Sequence, residues 1–337
     1  MVKKVQNGHL NSGSFFILVL GILTITFVIG CKESEPQTNI DKGKASVKAI
    51  VPRINEDSAM AFVKAQLDFG VRVPGTQGHK DTKEWISEKM KSYGAKVIIQ
   101  PFKGSFLGKK DIEGFNIIGS INPDHKNRVL LMAHWDTRLI AEKDNNPEKR
   151  NQPIPGAIDG ASGVAALLEI ARSVHQNPID LGIDFVFFDM EDQGEDGNNW
   201  CIGSKYWSEN PHSKGYTAQF GILLDLIGAK DATYGFEGYS YQFAGDILKK
   251  VWNLAQQMGY GQLFQVYDGG GIMDDHYYVN SIRKIPSIDI ISTNSKGSFG
   301  AYHHTHDDNI DAMDKENFRA VIQVVTAVLY KTSDGSF

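Results

Sequence analysis

The stretch "IDFVFFDMEDQGED", residues 183–196, opens as an almost wholly apolar run and closes in a crowd of carboxylates. A short apolar run rich in β-branched and aromatic residues fits a strand buried on both faces, as in sheets covered by helices. The acids at its end repel one another and need a positive partner: solvent counter-ions, lysines or a metal ion. Glu191 follows directly on the buried-looking strand, whereas Glu195 and Asp196 suit a solvated loop.

Outward from this stretch, β-rich runs recur at 96–102 "KVIIQPF", 115–121 "FNIIGSI", 128–135 "RVLLMAHW", 220–227 "FGILLDLI" and 285–291 "IPSIDII". Helical periodicity runs through 54–69 and 79–94, the latter stopping at Gly94 as helices stop at a C-terminal glycine. Further helical patterns cover 160–176, 201–210, 241–258 and 315–332. Strands alternating with helices predict a single three-layer α/β/α domain over 53–337, with a central mixed, mostly parallel sheet. No linker, internal repeat or low-complexity tract interrupts it.

The composition, 41% hydrophobic and 22% charged over 337 residues, is that of a globular protein. A net charge of −5 without a Lys/Arg stripe argues against nucleic-acid binding. At the N-terminus, Lys3 and Lys4 precede an apolar run from Phe15 to Ile29 that meets Gly30-Cys31. This is the pattern of a secretory signal over 1–30, and the cysteine resembles a bacterial lipobox. Lipidation of Cys31 would anchor the mature chain to the cell envelope, outside the cytoplasm; an uncleaved anchor would need a longer apolar run. Residues 31–52 read as a flexible tether. Cys201 is then left without an intramolecular partner, so neither a disulfide framework nor a thiolate zinc site is expected.

Open α/β sheets bind ligands beyond the carboxyl ends of their strands. Those ends carry His134 and Asp136, Glu191 and Asp192, and Asp225. His134 and Asp136 are two apart and project to one side of an extended segment. Asp159 lies in a loop of small residues before a helix, where an isolated acid is more often a cap than a ligand. Glu191 and Asp192 are adjacent and diverge, so one can hold a metal while the other faces a substrate. Asp225 sits between apolar neighbours and needs a partner. "MDDHYY" (273–278) can begin a helix, and "YHHTHDDN" (302–309) concentrates three histidines, a pattern that favours metal binding over a structural role.

Taken in order, the blocks "AHWDTR", "GAIDGASGVAALLEIAR", "FFDMED", "GSKYW", "LLDLIGA", "DDHYY" and "HHTHDDN" resemble the zinc-dependent aminopeptidase-like exopeptidases, and within them the bacterial type of glutaminyl cyclase. The resemblance spans roughly residues 55 to 335. It implies one zinc per chain on Asp159, Asp192 and His304, with Glu191 as general acid/base. It also implies a hydrogen-bonded carboxylate pair of Asp225 and Asp274 near the substrate. His134 matches a second-metal position of the aminopeptidases, with Asp136 as its supporting acid. The implied activity is cyclisation of N-terminal glutamine in peptides. Its rivals are a dizinc aminopeptidase and an inactive peptide-binding lipoprotein, though the latter would be expected to have lost a ligand. A serine hydrolase is excluded, because no G-x-S-x-G elbow occurs. Two departures matter: Asp192 stands where many relatives have Glu, and His303 where animal cyclases have Trp. Trp200 and Trp207 are candidates for the missing aromatic wall, although both sit in a helical segment and could equally be core.

Overall fold

The computed structural model describes residues 48–337 apart from Asp196 and Asn198. The signal segment 1–30 with Cys31, most of the expected tether and Asp196 lie outside the described residues. Packing begins ahead of Arg53: Ala49 N donates to Asp334 Oδ2 at 2.6 Å, and the Pro52 carbonyl accepts from Gln323 Nε2 at 3.0 Å.

The described residues form one compact unit. Its strands are β1 Lys96–Phe106, β2 Lys109–Ile121, β3 Arg128–His134, β4 Gly182–Phe188, β5 Phe220–Asp225, β6 Tyr234–Phe236, β7 Phe264–Asp268 and β8 Ser287–Ile291. Its helices are α1 Glu56–Asp68, α2 Gln77–Ser92, α3 Ala161–Gln176, α4 Ile202–Glu209, α5 Gly238–Gln257, α6 Asp275–Tyr278 and α7 Lys315–Ser333. Six strands form one sheet in the order β1-β2-β4-β3-β5-β8. The pairs β1/β2 and β2/β4 are antiparallel, while β3/β4, β3/β5 and β5/β8 are parallel. Every β-rich run read from the sequence is a strand of this sheet; the small β6–β7 ribbon was not anticipated.

Residue parity separates the layers, because successive side chains leave a strand on opposite faces. Val129, Leu131, Ala133, Phe185, Phe187 and Leu224 pack with α1, α3 and α7, whereas Leu130, Met132, Val186, Phe188 and Leu223 pack with Trp207 and Tyr216. Among the described residues no helix is long and apolar enough to cross a membrane.

Helix α3 lies close against the sheet because its first turns carry small residues. A Cβ on Gly163 would come within 2.3 Å of the Leu224 carbonyl oxygen and 2.8 Å of Ala133 Cβ. One on Gly160 would come within 2.7 Å of the His134 ring. We therefore expect Gly163→Ala to force α3 off β3 and β5 and to cost about 1–3 kcal/mol. Urea unfolding should show a lower midpoint at unchanged slope.

Candidate active site

The parallel strands deliver their carboxyl ends to one rim. β3 ends at His134 and β5 at Asp225, and the chain leaving β4 reaches Glu191 three residues beyond Phe188. Asp159 immediately precedes Gly160, the N-cap of α3, and Asp274 is the N-cap of α6. Asp159, Glu191, Asp192, Trp200, Asp225, Asp274, His303 and His304 line a cavity of about 430 Å³, with His134 just behind Asp159 and Asp225.

Asp159 is not a cap: the start of α3 has no side-chain cap bond. Its carboxylate turns inward, with Oδ1 3.1 Å from His134 Nε2 and Oδ2 3.8 Å from His304 Nε2. Its backbone is fixed by Asp308, which accepts from the amides of Ile158 at 2.7 Å and Asp159 at 3.1 Å. Arg72, fully buried, donates to the carbonyls of Trp135, Pro155 and Gly156 and ties the two loops together.

The adjacent acids diverge as expected. Asp192 Oδ1 lies 3.0 Å from His304 Nε2, while Glu191 Oε1 accepts from the Cys201 thiol at 3.4 Å and Oε2 lies 3.8 Å from His134 Nδ1. Asp136 supports both from below, accepting from the amides of Glu191 at 3.0 Å and Asp192 at 3.3 Å and from Gln193 Nε2 at 2.8 Å. Burial, reinforced by Asp274 and Asp192, drives the Glu191 carboxyl well above its usual range. Burial and Asp159 push Asp192 up to about 6. Burial works against a charged His304, but Asp192 and Glu142 outweigh it and raise the ring to about 9.

Donor atoms within 4.8 Å of one another occur in the sets Asp159–His303–His304 and His134–Asp159–Asp225. Asp192 belongs to neither set and joins through His304. The tautomers separate the two candidate histidines. His304 Nδ1 is 2.6 Å from Glu142 Oε1, an acceptor, so Nδ1 keeps its proton, and Nε2, facing Asp159 and Asp192, is the nitrogen that would release its proton and offer a lone pair to an ion. His303 Nδ1 is 2.6 Å from the Lys143 ammonium, which can only donate, and so that nitrogen is already occupied. Asp192 Oδ2 is buried without a protein partner. A nitrogen that can offer a lone pair, two converging carboxylates and an orphaned acid oxygen fit a divalent cation with nitrogen and oxygen ligands.

The carboxylates expected to pair with each other are partnered differently. Asp225 Oδ1 accepts from His134 Nε2 at 3.1 Å and from the Leu226 amide at 2.8 Å. Asp274 instead lies in a buried set with His276 and Asp289. Burial and the nearby Asp225 raise Asp274 to about 6. Asp289 went unread in the sequence, although an acid inside the apolar run "SIDII" carries the same signal that singled out Asp225. Trp200 is a wall of the cavity, stacked on His304 at 6.0 Å and covered by the Arg138 guanidinium at 4.7 Å. Trp207 is not. It lies fully buried under the opposite face of the sheet against Phe188 and Tyr216, because α4 turns that side chain toward the strands. His306 is also outside the cavity, with Nδ1 2.8 Å from Asp144 Oδ2. Glu195 is exposed, as a solvated loop acid should be.

Residues 116–329, well over half the chain, match the model of peptidase family M28. The chain belongs to this family. Among M28-like structures it is similar to a glutaminyl cyclase of Bacteroides thetaiotaomicron, at 45% identity and a TM-score of 0.81, over 83% of this chain and 99% of that one. A Zn-dependent exopeptidase of Parabacteroides distasonis is as similar, at 44% identity and TM-score 0.81 over 83% and 99%. The glutaminyl-peptide cyclotransferase of Bos taurus is 24% identical over 75% of this chain and 77% of its own.

The two tryptophans provide a test of the site's limits. Trp207→Ala should cost about 3–5 kcal/mol of stability, the range for deleting a buried aromatic ring. Trp200→Ala should leave the urea midpoint nearly unchanged and weaken binding of cavity ligands, measured by calorimetry.

Proposed function

We propose that this chain is a zinc-dependent glutaminyl-peptide cyclotransferase, converting N-terminal glutamine of peptides to pyroglutamate with release of ammonia. The observation that carries the reading is the split of the adjacent acids, with Asp192 facing His304 Nε2 and Glu191 facing the cavity on the other side. Asp159, Asp192 and His304 would hold the ion. Bound there, zinc would act as a Lewis acid on the side-chain amide carbonyl.

In this reaction the α-amine nitrogen bonds to the side-chain carbonyl carbon, and the bond from that carbon to the amide nitrogen breaks. Glu191 takes the proton from the amine and returns it to the departing nitrogen, which leaves as ammonia. Its raised affinity for protons suits both halves of that task. Asp225 and Asp274, also in the lining, are acceptors for the N–H groups of the amine and the leaving amide. The Trp200 and Phe299 rings exclude water and hold the glutamine folded, which favours the intramolecular attack over hydrolysis. One metal suffices, since no activated water is needed. His134 Nε2 lies 3.1 Å from both Asp159 Oδ1 and Asp225 Oδ1, so this ring serves to orient the two acids. A dizinc aminopeptidase would use the same nitrogen as a ligand. Export with lipidation of Cys31 belongs to the same proposal and places the enzyme on the cell envelope.

A Gln-initiated peptide incubated with the purified enzyme should lose ammonia by mass spectrometry; loss of a whole residue would establish the aminopeptidase instead. Glu191→Gln should keep its zinc while kcat falls about a hundred- to ten-thousandfold, the usual contribution of an acid/base group. Asp192→Asn should lower zinc occupancy, with partial recovery in excess zinc. Cys31→Ser should release the protein from membranes, as fractionation and immunoblotting would show.

A further inference from the structure

Three successive side chains of the loop 142–144 hold the three histidines of the loop 303–306. Glu142 Oε1 pairs with His304 Nδ1 at 2.6 Å, Lys143 Nζ with His303 Nδ1 at 2.6 Å, and Asp144 Oδ2 with His306 Nδ1 at 2.8 Å. The Lys143 amide also donates to the His304 carbonyl at 3.3 Å, so the loops are joined along their backbones as well. The partners differ in kind. A carboxylate accepts and leaves the proton on Nδ1; an ammonium donates and leaves Nδ1 as a bare acceptor. Neighbouring histidines are therefore set up oppositely: Nε2 of His304 is the nitrogen that can offer a lone pair to an ion, while Nε2 of His303 keeps its hydrogen.

The His303 ring is also fixed in position. It stacks between Phe299, with centroids 4.3 Å apart, and His304, at 3.7 Å. The Lys143 ammonium lies 5.7 Å from the Phe299 ring centroid. Among the described residues no group hydrogen-bonds to His303 Nε2, and the residue lines the cavity.

We propose that Lys143 is a positioning residue that fixes His303 as an Nε2–H donor, and that this donor binds the first peptide carbonyl of the substrate. The inference rests on the cyclase reading above. A glutaminyl peptide brings N–H groups on its amine and side-chain amide, and the carboxylates of the lining accept those. Its peptide carbonyl needs a donor, which a wall of carboxylates cannot supply. His303 supplies it, at the cost of being unable to serve as a metal ligand.

The test uses the zinc-loaded enzyme and two substrates, a Gln-initiated tripeptide and its analogue with the first peptide carbonyl replaced by methylene. The natural tripeptide should have the lower KM by about five- to tenfold, the worth of one well-formed hydrogen bond. His303→Leu and Lys143→Met should erase that preference through KM, with kcat changing much less. His303→Gln, whose amide N–H reaches a similar distance, and Lys143→Arg, which still donates, should keep it. Zinc content should match the parent enzyme in every variant. Long-range proton–nitrogen NMR of labelled histidine should show His303 protonated at Nε2 in the parent and lose that signature in Lys143→Met. Loss of zinc in His303→Leu, an Nδ1–H signature for His303 in the parent, or a preference that survives in His303→Leu would each overturn the proposal. The NMR and zinc measurements need no turnover, so an enzyme that cyclises neither substrate overturns the cyclase reading without being mistaken for a failure of the tautomer lock.

Discussion

Carboxylates buried within a few ångströms of each other at the ends of β3, β4 and β5 set the terms for everything around them. Each is costly to desolvate, and together they repel. Asp159, Glu191, Asp192, Asp225 and Asp274 all face one cavity. Arg138 is shared between Glu142 and Asp192 and His134 between Asp159 and Asp225, while the Lys143 ammonium is taken up by His303. A divalent cation held, as proposed, by Asp159, Asp192 and His304 would balance the remaining charge. The same electrostatic tension raises both Glu191, the proposed proton carrier, and Asp274.

Holding such an arrangement requires backbone that cannot relax. The turn after β4 passes through Met190 at φ 56°, a left-handed conformation that disfavours side chains with a Cβ. It is retained because the amides of Cys201, Ile202 and Gly203, the free donors at the start of α4, bond to the carbonyls of Glu191, Met190 and Asp189 at 2.9, 3.0 and 3.0 Å. Asp136 ties down the amides of the same turn, and Asp308 those ahead of α3. His304 itself has φ 59°. Strain in two loops is thus offset by hydrogen bonds from residues that do not touch the substrate.

The division between neighbours is the recurring device. Glu191 and Asp192 are consecutive and meet different partners because an irregular turn sends their side chains apart. His303 and His304 are consecutive and are set up oppositely because Lys143 and Glu142 differ in sign. In each case one covalent step in the chain becomes a change of chemical role, and the neighbouring loop supplies the asymmetry.

Much of this was legible in the sequence. Apolar runs of strand length and helical periodicity gave every strand of the main sheet and its covering helices, since both signals are local and repeat with the geometry of the backbone. The rim acids were legible for the same reason: a strand boundary says where its last side chains go. Trp207 stayed open between cavity wall and core because the facing of one residue on a short helix depends on what that helix packs against. Asp289 was overlooked inside a run read only as a strand, and nothing local marks Arg72 or Asp308 as a charged residue that folding buries. The pairing of Glu142, Lys143 and Asp144 with the histidines joins positions about 160 residues apart. Residue type alone gives a histidine two equivalent nitrogens. Only the partner brought against one of them by tertiary packing determines which nitrogen keeps its lone pair, and with it which histidine can bind a metal.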